Sequence, residues 1–303
     1  MKKIIFLIAF LQITFVSCSQ DIARETFNRA VEFKKNGKYA ESLKEYDKVL
    51  KIRPDFTNAL INRANVKSLL NDDKGAIKDL DKAEKIDKKD PEVYYNRGNA
   101  KHNLNMFEEA IKDYNKAIKI KDHEDYYLAR GNSKKAIRLY EEAIQDYSKA
   151  ISMNPNFVDA YYNRGNGKQK TGDLKGAIED YSKAIEINPE KLAPYMNRGN
   201  ANIRLKKFKE AISDFDTYIK MNPNSSTAHS NRGIANGGLN NFEEAIKDYS
   251  KAIEINPNSS DSYFGRAGIK HKTGDKEGEC SDLKKAADLG FERAKNIYEK
   301  FCK

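Results

Sequence analysis

An all-α fold, a solenoid of stacked helix pairs, follows from three features of the 303-residue sequence. One motif recurs along most of the chain at a step of 34 residues. Within each copy, small and aromatic residues fall at spacings of three, four and seven, the mark of amphipathic helices rather than strands. Gly, Asn and Pro sit at the ends of these stretches, where helices stop.

The first residues stand apart from the repeat. Met1-Lys2-Lys3 is a short positive start, Ile4 to Val16 is apolar apart from Gln12 and Thr14, and Ser17-Cys18-Ser19 leads into polar sequence. That order predicts a secretory signal over residues 1–17. The apolar stretch of 13 residues is shorter than the ~20 needed to span a bilayer. Phe15-Val16-Ser17-Cys18 resembles a bacterial lipoprotein box, with Phe15 in place of the usual Leu. The resemblance implies acylation of Cys18. The alternative is plain signal-peptidase cleavage near Ser19. Either way the chain is expected to be exported to a bacterial cell envelope, lipid-anchored to the outer membrane or periplasmic.

The repeat then begins. Its Arg row is Arg63, Arg97, Arg130, Arg164, Arg198, Arg232 and Arg266, with every step 34 except one of 33. Small rows accompany it: Ala64, Gly98, Gly131, Gly165, Gly199, Gly233 and Ala267, then Ala76, Ala110, Ala143, Ala177, Ala211 and Ala245. The aromatic row is Tyr46, Tyr114, Tyr147, Tyr181, Phe215 and Tyr249. Small residues let paired helices approach, and the aromatic fills the space beside them. Gly37, Asn71, Asn105, Gly172, Asn240 and Gly274 lie between the two helices of a copy; Arg138 and Lys206 replace Gly or Asn in two others. Pro54, Pro155, Pro189, Pro223 and Pro257 close copies. The turn at Asp122 lacks both its Pro and one residue.

These rows resemble the tetratricopeptide repeat, and Asn96-Arg97-Gly98 with Asp113-Tyr114-Asn115-Lys116-Ala117-Ile118 shows both halves of the motif. The resemblance implies a right-handed α-α superhelix. The rows divide it into units 23–56, 57–90, 91–123, 124–157, 158–191, 192–225, 226–259 and 260–290, with a capping helix over 291–303. One unit cannot bury its apolar face alone, so stacking supplies the core.

In the cap, Phe291, Ala294, Ile297, Tyr298 and Phe301 make one helical stripe. Cys280 occupies a row that carries Ile in six earlier copies, and folding back about Gly290 sets it opposite Cys302. A disulfide between Cys280 and Cys302 is expected in an oxidising envelope. The alternative is a buried free thiol at Cys280 and a frayed tail at Cys302.

Nothing in the sequence points to catalysis. His102, His123, His229 and His271 pair with no other His or Cys at metal-ligand spacing. Asn236-Gly237-Gly238 lacks the Lys and Ser/Thr of a phosphate-binding loop. The carboxylates Glu108-Glu109, Glu141-Glu142 and Glu243-Glu244 sit at the start of second helices, where the helix dipole favours them. The chain is therefore expected to be no enzyme and to need no cofactor, metal or small-molecule substrate. Lys and Arg total 55 against 45 for Asp and Glu, a net +10, but the signs are mixed throughout. Nucleic acid is not an expected partner, and a membrane is one only through the lipid anchor.

What the resemblance does imply is a protein or peptide partner in the concave groove of the first helices. Two Asn rows fall there: Asn62, Asn96, Asn163, Asn197 and Asn231, and Asn65, Asn99, Asn132, Asn166 and Asn200. An amide offers a donor and an acceptor, so a ladder of amides can pair with any peptide backbone. The arrangement is similar to the asparagine ladder of O-linked N-acetylglucosamine transferases. The competing reading is that these amides cap local backbone. Tyr95, Tyr162 and Met196 add apolar contacts on the same face. They stand where the family's carboxylate clamp needs Lys, so capture of an acidic chain terminus is not expected. The expected function is an interaction scaffold of the cell envelope; the alternative is a soluble periplasmic chaperone or assembly factor.

Overall fold

Each 34-residue copy folds as a pair of helices because its two apolar stripes are interrupted once by a residue at positive φ. The computed structural model describes residues 20–303, and among these all regular structure is helical. The chain divides into two units, one ending at Asn154 and one running Pro155–Lys303. The first contains α1 (residues 20–35), α2 (Tyr39–Ile52), α3 (Thr57–Leu69), α4 (Asp73–Ile86), α5 (Pro91–Asn103), α6 (Phe107–Ile120), α7 (Glu124–Ala136) and α8 (Tyr140–Met153). The second contains α9 (Val158–Thr171), α10 (Leu174–Ile187), α11 (Leu192–Arg204), α12 (Phe208–Met221), α13 (Ser226–Gly238), α14 (Phe242–Ile255), α15 (Ser260–Thr273), α16 (Lys276–Asp288) and α17 (Glu292–Phe301). Within each unit the odd-numbered helices are the first members of the pairs, and α17 closes the second unit against α16.

The turn inside each pair repeats one geometry. Gly37, Asn71, Asn105, Gly172, Asn240 and Gly274 all have φ between 60° and 92°. Arg138 (φ 64°) and Lys206 (φ 59°) take the same conformation, so the turn imposes it even on long side chains. In the turn after α5, Asn105 N donates to His102 O at 2.9 Å and Met106 N to Lys101 O at 2.9 Å, which satisfies the last carbonyls of the first helix. Three second helices are capped by an Asp whose carboxylate accepts from the backbone three residues on: Asp72 from Gly75, Asp173 from Gly176 and Asp275 from Gly278, each at 2.9 Å. Elsewhere Asp90 caps α5 with Pro91 in the first turn. The residue missing near Asp122 is taken from the turn between α6 and α7, and both helices keep the 13- to 14-residue length of their neighbours.

The core is a line of small and aromatic side chains between paired helices. Ala76, Ala110, Ala143, Ala177, Ala211 and Ala245 are wholly buried, and so are Tyr46, Tyr147, Tyr181 and Phe215. The glycine row explains the close fit. A Cβ on Gly98 would lie 2.6 Å from the Tyr114 ring, and one on Gly131 or Gly165 would lie 2.7 Å from Tyr147 or Tyr181. The first helix thus lies directly on the ring of the second.

Cys280 and Cys302 are joined by a disulfide, with Cα atoms 5.6 Å apart across a sequence separation of 22. A loop of that size contributes about 3 kcal/mol in the chain-entropy account. It ties α17 to α16, where Ala294, Ile297 and Tyr298 pack on Ala267, Leu283 and Ala286. Cys18 and the signal segment lie outside the described residues.

Candidate protein-interaction face

The most regular polar feature is an ion pair on a buried carboxylate in every copy. Arg97 Nε and Nη2 donate to the two Asp113 oxygens at 3.0 and 2.8 Å, and both side chains are under a tenth exposed. The same two-pronged contact joins Arg63 to Asp79, Arg130 to Asp146, Arg164 to Asp180 and Arg266 to Asp282. Arg198 with Asp214 and Arg232 with Asp248 repeat it, always across 16 residues. In the first copy Arg29 and Glu45 take these roles. A Lys one turn after the Arg adds a second cation: Lys101 lies 2.6 Å from Asp113, and Lys67, Lys134, Lys168 and Lys270 are placed alike.

The remaining Arg nitrogen reaches the second helix of the preceding copy. Arg63 Nη1 donates to Asp47, Arg97 Nη1 to Asp81 and Glu84, Arg130 Nη1 to Asn115, Arg198 Nη1 to Ser182 and Arg266 Nη1 to Ser250. One guanidinium therefore fastens three helices. Burial alone would raise the Glu84 pKa, but hydrogen bonds from Arg97 and Lys116 outweigh it and hold it at about 2. Burial would weaken Arg97 as an acid partner too, yet its carboxylate bonds raise its pKa above the usual guanidinium value. A Tyr three residues before the Arg completes the site, with Arg97 Cζ 5.6 Å from the Tyr94 ring centre and Arg266 Cζ 5.8 Å from Tyr263. This pairing is legible in sequence only as a constant offset of 16 between the Arg row and an Asp row; the residues were visible, the contact was not.

The two Asn rows lie beside these pairs on the first helices, all half-buried. In the first unit, Asn62 and Asn96 donate to their own helices, at Asn58 O and Glu92 O. The second row meets the aromatic row: Tyr114 donates to Asn99, Tyr147 to Asn132 and Tyr181 to Asn166, at 2.8–2.9 Å. In the second unit the amides also link successive first helices, Asn197 Nδ2 to Asn166 Oδ1 and Asn231 Nδ2 to Asn200 Oδ1, both 2.8 Å. Asn163 sits in the same row as Asn197, and Asn65 in the same row as Asn99. Tyr95 stacks on Tyr126 with ring centres 4.8 Å apart. The Tyr162 hydroxyl accepts from Asn197 at 3.3 Å, and Met196 packs with Ala211 and Phe215. The structure therefore gives most of these amides a partner inside the repeat. What they present together is a half-buried surface of amide, phenol and thioether groups on neighbouring first helices.

Among the described residues no helix is long and apolar enough to cross a membrane, and no cluster of three or more His, Cys, Asp or Glu is placed to hold a metal ion.

Stacked helix pairs with this internal wiring define a class, the repeat scaffolds for protein–protein interaction. The chain belongs to the tetratricopeptide-repeat family: tetratricopeptide-repeat models match residues 22–56, 91–123, 158–191, 192–225 and 226–259, and a TPR-repeat model matches 69–105 and 131–172. Among solved structures it is similar to YrrB, a TPR protein described as having an unusual peptide-binding site, at 26% identity over 60% of this chain and 95% of that one, with a TM-score of 0.56. The C-terminal part of a TPR repeat-containing protein from Cytophaga hutchinsonii shares the fold at 20% identity, over 76% of this chain and 95% of that one, with a TM-score of 0.66. A tetratricopeptide repeat protein from Parabacteroides merdae does so at 19% identity, over 82% and 99%, with a TM-score of 0.58. No curated protein matches the chain in sequence.

Proposed function

We propose that the protein is a non-catalytic scaffold of the bacterial cell envelope that holds a partner peptide or protein in the groove of its first helices. The observation that carries this reading is the row of half-buried amides within each unit, joined helix to helix in the second. Such a row keeps hydrogen-bonding capacity at fixed spacing while the Arg–Asp pairs hold the helices still. The peptide-binding site described for YrrB supports the reading. Replacing Asn96, Asn163 and Asn197 by Ala is expected to weaken binding of partner peptides at least about tenfold while helicity stays at the parent level. Unchanged affinity in that variant would remove the amides from the interface.

Export to the envelope is the second part of the proposal, and it rests on the leader and on Cys18. Palmitate labelling of the expressed protein that disappears in Cys18→Ala supports a lipid anchor. Secretion without label would favour the soluble periplasmic chaperone or assembly factor instead.

A further inference from the structure

The ladder of hydroxyls and amides stops in the seventh copy, and where it stops there is a cavity. In four earlier copies the ring of the second helix lies over the glycine of the first, 2.6–2.7 Å from where a Cβ would be. Three of those rings are tyrosines that donate to the Asn immediately after that glycine. Two substitutions undo this arrangement around Tyr249. Ile234 stands where the accepting Asn would be, and Gly265 stands where the following copy would bring its own Asn. The Tyr249 ring leans toward α15: a Cβ on Gly265 would lie 2.5 Å from the ring and 2.9 Å from the hydroxyl oxygen, against 3.2 Å for Gly233. Tyr249 is only 4% exposed, yet its hydroxyl has no hydrogen-bond partner among the described residues. The exposed part of Tyr249 faces a cavity, so the hydroxyl is open to solvent there and free to donate to an acceptor that enters.

The space left by the two missing amides is a cavity of about 430 Å³, lined by Ser230, Asn231, Ile234, Tyr249, Phe264 and Gly265. That volume suits a side chain or small group rather than a whole peptide. The chain itself shows what fills the equivalent place elsewhere. Asn166 Oδ1 accepts from the Tyr181 hydroxyl at 2.9 Å and from Asn197 Nδ2 at 2.8 Å.

We propose that this cavity is a recognition pocket for a carboxamide, the side chain of Gln or Asn on the bound partner, which takes the place of the absent ladder amide. Its carbonyl oxygen accepts from the Tyr249 hydroxyl. Its NH2 group faces the Asn231 and Ser230 oxygens, and its methylenes lie against Phe264. Asp261 at the rim disfavours the isosteric carboxylate of Glu or Asp. The assignment names the specificity of the face proposed above and rests on that reading.

The test is an NMR titration of the purified protein labelled at tyrosine and isoleucine. The probes are N-acetyl-glutamine methylamide and its acidic isostere, N-acetyl-glutamate methylamide. The glutamine probe should shift the Tyr249 and Ile234 signals saturably, and the glutamate probe should bind at least about tenfold more weakly. Tyr249→Phe removes only the hydroxyl, and Ile234→Asn returns an amide to the ladder at an exposed position; both should keep parent helicity and lose the response. No saturable shift, equal response to the two probes, or an undiminished response in Tyr249→Phe would overturn the assignment. Peptides that crosslink to the face while the glutamine probe fails would sink the pocket alone. A responding pocket on a face that captures no peptide would sink the broader reading instead.

Discussion

At the scale of single residues, the recurring unit of this protein is an Arg with its carboxylate, and the copies differ in how fully that carboxylate is compensated. Asp180 has Arg164 and Lys168; Asp214 has Arg198 and only Asn202, at 3.4 Å. Burial raises the Asp214 pKa, and the bonds from Arg198 and Asn202 do not offset it. A carboxyl whose pKa is raised by folding contributes stability that is present below its unfolded value of about 3.9 and is lost as pH rises through the folded value. Asn202→Lys should therefore stabilise the fold at pH 7 by on the order of 1 kcal/mol, and the gain should be smaller at about pH 3, once pH has fallen through the raised Asp214 value and the carboxyl holds its proton. Thermal melts at both pH values check this; a variant that melts lower at pH 7 would refute it. The Arg, Gly and aromatic rows were all legible in the sequence because packing demands one residue type per position. The partners of the amides were not, since Asn serves equally as a helix cap, a tyrosine acceptor or a ligand contact, and only geometry separates these roles.

At the scale of elements, the pairing of helices is set by one backbone conformation at the turn. Gly, Asn, Arg and Lys all adopt it, so position outweighs residue preference there. A left-handed conformation costs a residue with a Cβ about 1–2 kcal/mol. Lys206→Gly should raise stability by about 1 kcal/mol, whereas Ser213→Gly, in the interior of α12, should lower it. Chemical denaturation of both variants is the measurement, and equal effects would contradict the account. The sequence marks these turns where it uses Gly or Asn and hides them at Arg138 and Lys206, where only the period reveals the position. Likewise Asp72, Asp173 and Asp275 read as caps only once Gly75, Gly176 and Gly278 are seen to leave room for their carboxylates: a Cβ on Gly75 would lie 1.9 Å from Asp72 Oδ2.

At the scale of the whole molecule, the array and its ends serve different purposes. Within each unit the repeats present amides at the repeat spacing, the disulfide ties the last helix to its neighbour, and the leader is proposed to bring the chain to the envelope. The period, the cap and the Cys280–Cys302 proximity could be read from the sequence because each depends on spacing. The pocket at Tyr249 could not, because it arises from two departures, Ile234 and Gly265, whose meaning depends on where the Tyr249 ring lies. The central claim is that partners are held by the face of the first helices. It is tested most directly by placing a photocrosslinking amino acid at Tyr95, Tyr162 or Met196 and, for comparison, at Lys112, Lys209 or Glu243, exposed positions on second helices. The account predicts crosslinked partner from the first set and none from the second. Crosslinks confined to the second set, with the first set folded and silent, would contradict it.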